Sequence, residues 1–143
     1  MPNFGTTSTA RLSTCHPDLQ VILKEAVRYI DFSVVYGHRT PDEQLRLYGK
    51  GRVNGIIMDK AKVVTYCDGV EKPSKHNKYP SDAADIIPYP SGWAATEFEW
   101  GYLLGVVIGI ADQFYKEGRI SHQVESGAFW TKFVDRPHIQ LIK

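Results

Sequence analysis

The chain has 143 residues, a length that fits one domain able to bury a hydrophobic core without disulfides or a structural metal. Apolar residues make up 43% and charged residues 23%, which is typical of a soluble globular protein. The formal net charge of +1 gives no field that would recruit nucleic acid. We therefore expect a single domain over residues 1–143 that acts as a monomer and does not bind nucleic acid.

The sequence shows neither an export signal nor a membrane span. Residues 1–12 are rich in Thr and Ser and lack the apolar core of a secretory signal, so we expect synthesis in a cytoplasm. The most apolar stretch, residues 100–115, is interrupted by Asp112 and is shorter than the roughly 18 residues that spanning requires. Cys15 and Cys67 lie far apart without a CxxC pair, which favours reduced thiols over a zinc ribbon or a redox motif.

Periodic apolar residues and capping patterns predict three helices. The first follows Pro17, with apolar residues at helical spacing as far as Ile30. The second begins at the capping box Thr40–Glu43 and ends before the glycines at 49 and 51. The third begins at a second capping box, Thr96–Glu99, and ends at Gly118. It carries glycine at every fourth position, which predicts tight packing against another element; these are Gly101, Gly105 and Gly109.

Short apolar runs predict the strands. Residues 32–36 are β-branched and aromatic, residues 83–87 are apolar apart from one acid, and residues 139–142 suit a buried terminal strand. Residues 52–75 show no helical period and contain turn-forming pairs, so we expect a loop with one or two short strands.

A catalytic zinc site needs three protein ligands, usually histidines and a carboxylate, and an open position. His76, Asp85 and His138 are candidates for this set. Asp85 stands among apolar residues, where a carboxylate is costly to bury unless it is paired or bound to a cation. The residues alone leave other roles open: a salt bridge or helix cap for Asp85, and ordinary hydrogen-bonded side chains for the histidines.

Four short blocks occur in an order that resembles a known family. They are Gly37-His38-Arg39-Thr40 with Gln44 and Tyr48, Ser74-Lys75-His76, Ser81-Asp82-Ala83-Ala84-Asp85, and Asp135-Arg136-Pro137-His138. Together they resemble the D-alanyl-D-alanine carboxypeptidase and L-alanyl-D-glutamate endopeptidase family of zinc peptidases, which includes many phage endolysins. The resemblance covers roughly residues 10–143. The chain departs from the family pattern in a longer gap after His76, in Ser81 where glycine is usual, and in residues 119–130, which lack a Trp-Gly-Gly-Asp-Trp type of segment.

The resemblance implies an α+β fold of the hedgehog/DD-peptidase kind, with a small antiparallel sheet that carries a zinc site and is flanked by helices. It implies Zn²⁺ held by His76, Asp85 and His138, with Asp82 as a competing carboxylate. His122 has no counterpart among the family's ligands, and its polar neighbours favour a solvated side chain. The remaining roles implied are proton transfer by Asp135, oxyanion or carboxylate binding by Arg39, and substrate contacts by Gln44 and Ser74.

The resemblance also implies a function: hydrolysis of the L-alanyl-D-glutamate bond in the stem peptide of bacterial peptidoglycan, after release from a host cytoplasm. One alternative is a D,D-carboxypeptidase that removes terminal D-Ala. Another is a wall-binding or phage structural module that keeps the fold without turnover. The presence of Asp135 three residues before His138 favours an enzyme.

Overall fold

A computed structural model of the protein describes residues 2–142. Its helices are α1 (Thr6–Leu12), α2 (Pro17–Ala26), α3 (Pro41–Tyr48) and α4 (Glu97–Lys116). Its strands are β1 (Phe32–Tyr36), β2 (Arg52–Val53), β3 (Ile56–Ile57), β4 (Ala83–Pro88), β5 (Gln123–Ser126) and β6 (His138–Ile142). Short 3₁₀ turns cover Lys60–Lys62, Lys75–Asn77, Gly92–Ala94 and Gly127–Phe129. Within residues 2–142 no helix combines the length and apolarity needed to cross a membrane.

Four strands form one antiparallel sheet in the order β1-β4-β6-β5, and β2 and β3 form a separate hairpin. The α+β class with a small antiparallel sheet is confirmed. The central strands β4 and β6 are aligned so that Asp85 lies opposite His138. This register places two of the predicted ligands on neighbouring strands.

The two faces of the sheet have different partners. Alternate residues of a strand point to opposite faces, so Ala84 and Ile86 of β4 share one face with Ile139 and Leu141 of β6. These side chains pack with α2 and α4 in the hydrophobic core. Asp85 and His138 therefore point to the opposite face, which is where a polar site can form.

The helices agree with the sequence patterns with one difference in length. Helix α3 has the predicted capping box, in which Thr40 and Glu43 satisfy each other's backbone N–H groups, and α4 has the same box at Thr96 and Glu99. Helix α2 ends at Ala26 rather than at Ile30. Val27 is buried although it lies in the turns that lead to β1. Buried apolar residues thus continue at helical spacing past the end of the helix, which is why the sequence pattern predicted a longer helix.

The prediction that the α4 glycines pack tightly against another element is wrong. Gly101, Gly105 and Gly109 are exposed, and a side chain placed at any of them would meet no atom within 4 Å. The buried face of α4 is formed by its large residues instead, including Leu103, Val107 and Phe114. Spacing of four places the glycines on one helix face but does not decide whether that face has a partner.

Helix α1 and strand β5 have no counterpart in the predictions from sequence. Helix α1 is short and polar, and it is held by tertiary contacts with β1. The Arg11 guanidinium donates to Val34 O at 3.2 Å, and Val34 N donates to Ser8 Oγ at 3.0 Å. Strand β5 contains only four residues and obtains its backbone partners from β6. Neither element shows an apolar period that would reveal it.

Candidate metal centre

His76, Asp85 and His138 meet on the polar face of the sheet. His76 comes from the 3₁₀ turn Lys75–Asn77, where the Ser74 hydroxyl accepts from His76 N at 3.2 Å. Asp85 and His138 come from β4 and β6. All three side chains are buried and offer ligand atoms close enough for one metal ion.

The spacing of the three ligand atoms suits tetrahedral coordination. His76 Nε2 lies 3.2 Å from His138 Nδ1, and Asp85 Oδ1 lies 3.4 Å from each of those nitrogens. Ligands bound about 2.0–2.1 Å from a tetrahedral zinc ion lie about 3.3 Å apart. The triangle formed by these atoms therefore has the size of one face of such a tetrahedron.

Hydrogen bonds on the far side of each ring leave lone pairs at the centre of this triangle. His76 Nδ1 lies 2.7 Å from Gly37 O, an acceptor, so this nitrogen carries the hydrogen and Nε2 is free. His138 Nε2 lies 2.9 Å from Gln140 Oε1, which leaves Nδ1 free in the same way. Asp85 Oδ1 is buried without a hydrogen-bond partner among the described residues. A buried group of three lone pairs without a hydrogen between them fits a cation.

Arg39, which is itself held by Gln44, binds the other oxygen of the Asp85 carboxylate. Arg39 Nη2 donates to Asp85 Oδ2 at 2.6 Å, and Arg39 Nη1 donates to Gln44 Oε1 at 2.9 Å. Gln44 is completely buried, and its amide nitrogen donates to Cys67 O at 2.9 Å. In the structure Gln44 therefore orients Arg39, and its predicted contact with a substrate remains a prediction. Contact between Arg39 and a substrate oxyanion stays a prediction.

The charges around the triangle distinguish the two histidines. Burial raises the pKa of Asp85, but the charges and hydrogen bonds of His76 and His138 lower it by a larger amount. The pKa of Asp85 therefore lies below its ordinary value. Burial lowers the pKa of His76, which Asp85 only partly offsets. Burial also acts to lower the pKa of His138, but the Asp85 carboxylate raises it above the ordinary value. The metal-free protein thus takes up a proton at His138 more readily than at His76, and a metal ion has to displace that proton.

Asp135 lies in the loop before β6 and lines the same cleft. Its backbone N–H donates to Gly127 O at 2.9 Å, and a side chain at position 127 would overlap the Asp135 carbonyl. Burial, reinforced by the charge of Asp85, raises the pKa of Asp135 to about 6. A carboxyl group with this pKa can accept and return a proton near neutral pH.

The ligand triangle opens into a cleft of about 1000 Å³. Ser74 is half-buried at its wall, and its substrate contact stays a prediction. The ring of Trp130 lies 5.0 Å from that of His138, centroid to centroid. The cleft is otherwise rich in aromatic side chains, which are those of Tyr36, Tyr66, Trp93, Trp100 and Phe133.

Asp82, the competing carboxylate, lies outside the triangle. Its Oδ2 is 3.3 Å from Lys78 Nζ, and its backbone carbonyl accepts from Leu141 N at 2.8 Å. Asp82 and Asp85 are three residues apart on or beside one strand and so face opposite sides. The structure thus brings Asp85, and not Asp82, together with the two histidines.

His122 belongs to a second cluster with His16 and Asp18. The His122 side chain is 39% exposed, as expected for a solvated residue, and its Nδ1 also lies 2.9 Å from Asp18 Oδ2. This cluster differs from the triangle in that two of its acceptor atoms, His16 Nδ1 and Asp18 Oδ2, already have backbone hydrogen-bond partners. His16 Nδ1 accepts from Asp18 N at 3.0 Å, and Asp18 Oδ2 accepts from Ser121 N at 3.0 Å. It ties the start of α2 to the segment that follows α4.

Gly37 supports His76 from a position where no side chain fits. A Cβ at residue 37 would overlap Arg11 O and Thr14 Oγ1 and would come within 2.9 Å of Cys15 Sγ. We expect Gly37→Ala to lower the free energy of unfolding by about 1–3 kcal/mol, because overpacking must push the α1–α2 turn away from β1. Urea denaturation measures the change. Gly101→Ala is the matched control and should be neutral or stabilising, since its helix face is open. A Gly37→Ala protein as stable as the wild type would contradict this packing.

Comparisons with known proteins agree with this architecture. No family model matches the sequence, and no curated protein matches it. Among solved structures, the crystal structure of the L-Ala D-Glu endopeptidase ChiX of Serratia marcescens is similar, with a TM-score of 0.68 and 24% identity. The similarity covers 97% of this chain and 89% of the Serratia chain. The two proteins share a fold.

Gln140 is a part of the site that the sequence patterns did not indicate, and Gly37 was named only as a member of a sequence block, without a role. Gln140 has a signal in retrospect, since it follows His138 by two residues on a strand and so lies on the same face. The role of Gly37 depends on its carbonyl oxygen and on contacts with α1, and the sequence carries no signal for either.

Proposed function

We propose that the protein is a zinc-dependent peptidase that hydrolyses the L-alanyl-D-glutamate bond of peptidoglycan stem peptides. The observation that carries the proposal is the convergence of three lone pairs, on His76, Asp85 and His138, at the base of an open cleft beside Asp135. The shared fold with an L-Ala D-Glu endopeptidase supports the same class of substrate.

In this proposal His76 Nε2, Asp85 Oδ1 and His138 Nδ1 hold the ion. Zinc, when bound, supplies Lewis acidity that polarises a carbonyl group and makes water a nucleophile near neutral pH. Arg39 keeps Asp85 Oδ2 occupied, so that Oδ1 remains directed at the histidines. Gly37 O and Gln140 Oε1 keep each imidazole in the form that presents a lone pair.

Asp135 handles the protons of the reaction. Its raised pKa allows the carboxylate to accept a proton from the attacking water and to return it to the leaving amine. Its position is set by the Gly127 carbonyl and by His138 N, which donates to Asp135 O at 3.2 Å. The base is therefore fixed beside the ligand that it precedes in sequence, and this favours an enzyme over a wall-binding module.

The pairing of the cleft arginines favours an endopeptidase over a D,D-carboxypeptidase. A carboxypeptidase needs a cation that holds the terminal carboxylate of its substrate. Arg39 is bound to Asp85, and Arg136 Nη2 lies 2.5 Å from Glu97 Oε1. Lys75 Nζ donates to the Leu141 carbonyl. Lys50 lines the cleft and is exposed, and the Glu97 partner of Arg136 is 82% exposed, so the buried pairing of Arg39 beside the triangle is what favours the endopeptidase.

Digestion of purified peptidoglycan tests the function. We expect the zinc-loaded protein to release peptides with a new N-terminal D-Glu or D-isoGln and to leave L-Ala on the glycan, as measured by mass spectrometry. His76→Ala is the matched control and should release neither product. Free D-Ala without new D-Glu termini would instead assign a D,D-carboxypeptidase. Zinc binding without products from several wall types would favour the binding module.

A further inference from the structure

A row of polar side chains continues from His138 across the edge of the sheet. Gln140 follows His138 by two residues on β6, and Glu125 on β5 lies directly opposite Gln140. Gln140 Oε1 lies 2.9 Å from His138 Nε2, and Gln140 Nε2 donates to Glu125 Oε1 at 2.5 Å. The three groups thus form one hydrogen-bonded chain that ends at a ligand atom of the triangle.

The carboxylate of Glu125 determines the direction of this chain. A carboxylate only accepts hydrogen bonds, so the amide NH₂ of Gln140 has to face Glu125. The amide oxygen then faces the imidazole and accepts from Nε2–H of His138. A neutral imidazole carries one hydrogen, for which Gln140 Oε1 at 2.9 Å from Nε2 competes with Asp85 Oδ1 at 3.4 Å from Nδ1. When the nearer Gln140 oxygen holds that hydrogen on Nε2, Nδ1 keeps its lone pair.

We propose that Glu125, acting through Gln140, selects the tautomer of His138 that binds the metal. Both are positioning residues, since neither is one of the three ligands. The inference rests on the proposed function in that it takes the triangle as a metal site. Without the Glu125 carboxylate the Gln140 amide can rotate and turn its NH₂ toward Nε2. The hydrogen of His138 then moves to Nδ1, and the ligand lone pair is lost.

His76 provides an internal comparison. Its Nδ1–H donates to a backbone carbonyl, that of Gly37, which cannot exchange an acceptor for a donor by rotating. The tautomer of His76 is therefore fixed by the backbone, whereas that of His138 depends on a side-chain amide that could face either way. Only the His138 side of the triangle needs a group such as Glu125 to set the direction.

The experiment compares wild type, Gln140→Leu and Glu125→Gln with a charge-matched control, Gln123→Lys. Gln123 is exposed on the same face of β5, and its replacement by Lys changes the net charge by the same amount as Glu125→Gln. The first measurement is the ¹⁵N shift of each imidazole nitrogen in metal-free protein, at a pH where both histidines are neutral. The second is zinc affinity by competition with a chelator.

In wild type we expect His138 to carry its hydrogen on Nε2, and in Gln140→Leu and Glu125→Gln we expect it to populate both tautomers. Zinc affinity should fall by about ten- to a hundredfold in Gln140→Leu and by a smaller factor in Glu125→Gln. Gln123→Lys should match wild type in both measurements. His76 should keep its hydrogen on Nδ1 in every protein.

An unchanged His138 tautomer in Gln140→Leu and Glu125→Gln would overturn the inference, as would zinc affinities equal to that of Gln123→Lys. These results are distinct from failure of the proposed function. If wild type binds no zinc, the proposed function fails, and the imidazole shifts of the metal-free proteins still decide whether Glu125 sets the tautomer. If Gln140→Leu does not fold, Glu125→Gln carries the same test.

Discussion

Asp85→Asn is expected to abolish zinc binding and activity while the protein stays folded. The amide keeps the shape of the side chain, and its oxygen can still accept from Arg39 in place of Asp85 Oδ2. Its NH₂ group then replaces Oδ1 and faces the lone pairs of His76 Nε2 and His138 Nδ1, each 3.4 Å from Oδ1. A donor at this point supplies the hydrogen bonds that the triangle lacks and blocks a cation.

Asparagine is a better test here than alanine. Arg39 is buried, and Asp85→Ala would remove the hydrogen-bond acceptor as well as the charge that Asp85 offers it, at a cost of about 3–5 kcal/mol, whereas Asp85→Asn keeps an acceptor for the guanidinium. Loss of zinc in Asp85→Ala could then reflect unfolding.

Asp82→Asn is the control, because Asp82 pairs with Lys78 outside the triangle. Zinc content by mass spectrometry and the circular dichroism spectrum should show a folded, zinc-free protein for Asp85→Asn and a zinc-loaded one for Asp82→Asn. The reverse pattern would make Asp82 the ligand.

The fold was predictable where one local pattern was strong. The capping boxes at Thr40 and Thr96 fixed the start of α3 and α4, because the two hydrogen bonds of a box need only residues three apart. Helix α1 and strand β5 were not predictable in this way, since their stability comes from β1 and β6. The glycines of α4 show that a clear local pattern can also mislead. Their spacing places them on one face of the helix, but spacing does not determine whether a second element packs on that face.

The site was predictable only as a set of residues. His76, Asp85 and His138 were identified because their sequence blocks resemble a family, and the structure brings them together. What lies around them depends on contacts between distant parts of the chain. The Arg39–Asp85 pair and the hydrogen bond from Gln44 to Cys67 join residues 46 and 23 positions apart, so the sequence blocks that named Arg39 and Gln44 did not indicate these partners. Strand parity alone could have indicated Gln140.

Asp135→Asn is expected to lower kcat by about 10²–10⁴-fold while zinc stays bound. The amide has nearly the shape of the carboxylic acid, and Asp135 is not part of the ligand triangle. An amide cannot accept the proton of water, so the loss should appear in turnover and not in substrate affinity. Glu97→Gln is a control of equal charge change on the salt bridge to Arg136, and it should retain turnover.

The pH profile provides a second test of the same role. The carboxylate form of Asp135 is the active form, so kcat/KM of the wild type should fall as the pH falls through the pKa of this group. That pKa is about 6 in the metal-free protein, where burial and the charge of Asp85 raise it. A bound cation stabilises the carboxylate and moves the pKa down, so the acidic limb should have its midpoint at or below pH 6.

Protonation of His138 also lowers activity at acidic pH by releasing zinc, and zinc content measured across the same range separates the two effects. In Asp135→Asn the pH profile of the residual kcat/KM should lack the part of the acidic limb that is not explained by loss of zinc. If that limb persists in the variant, the proton acceptor is another residue of the cleft.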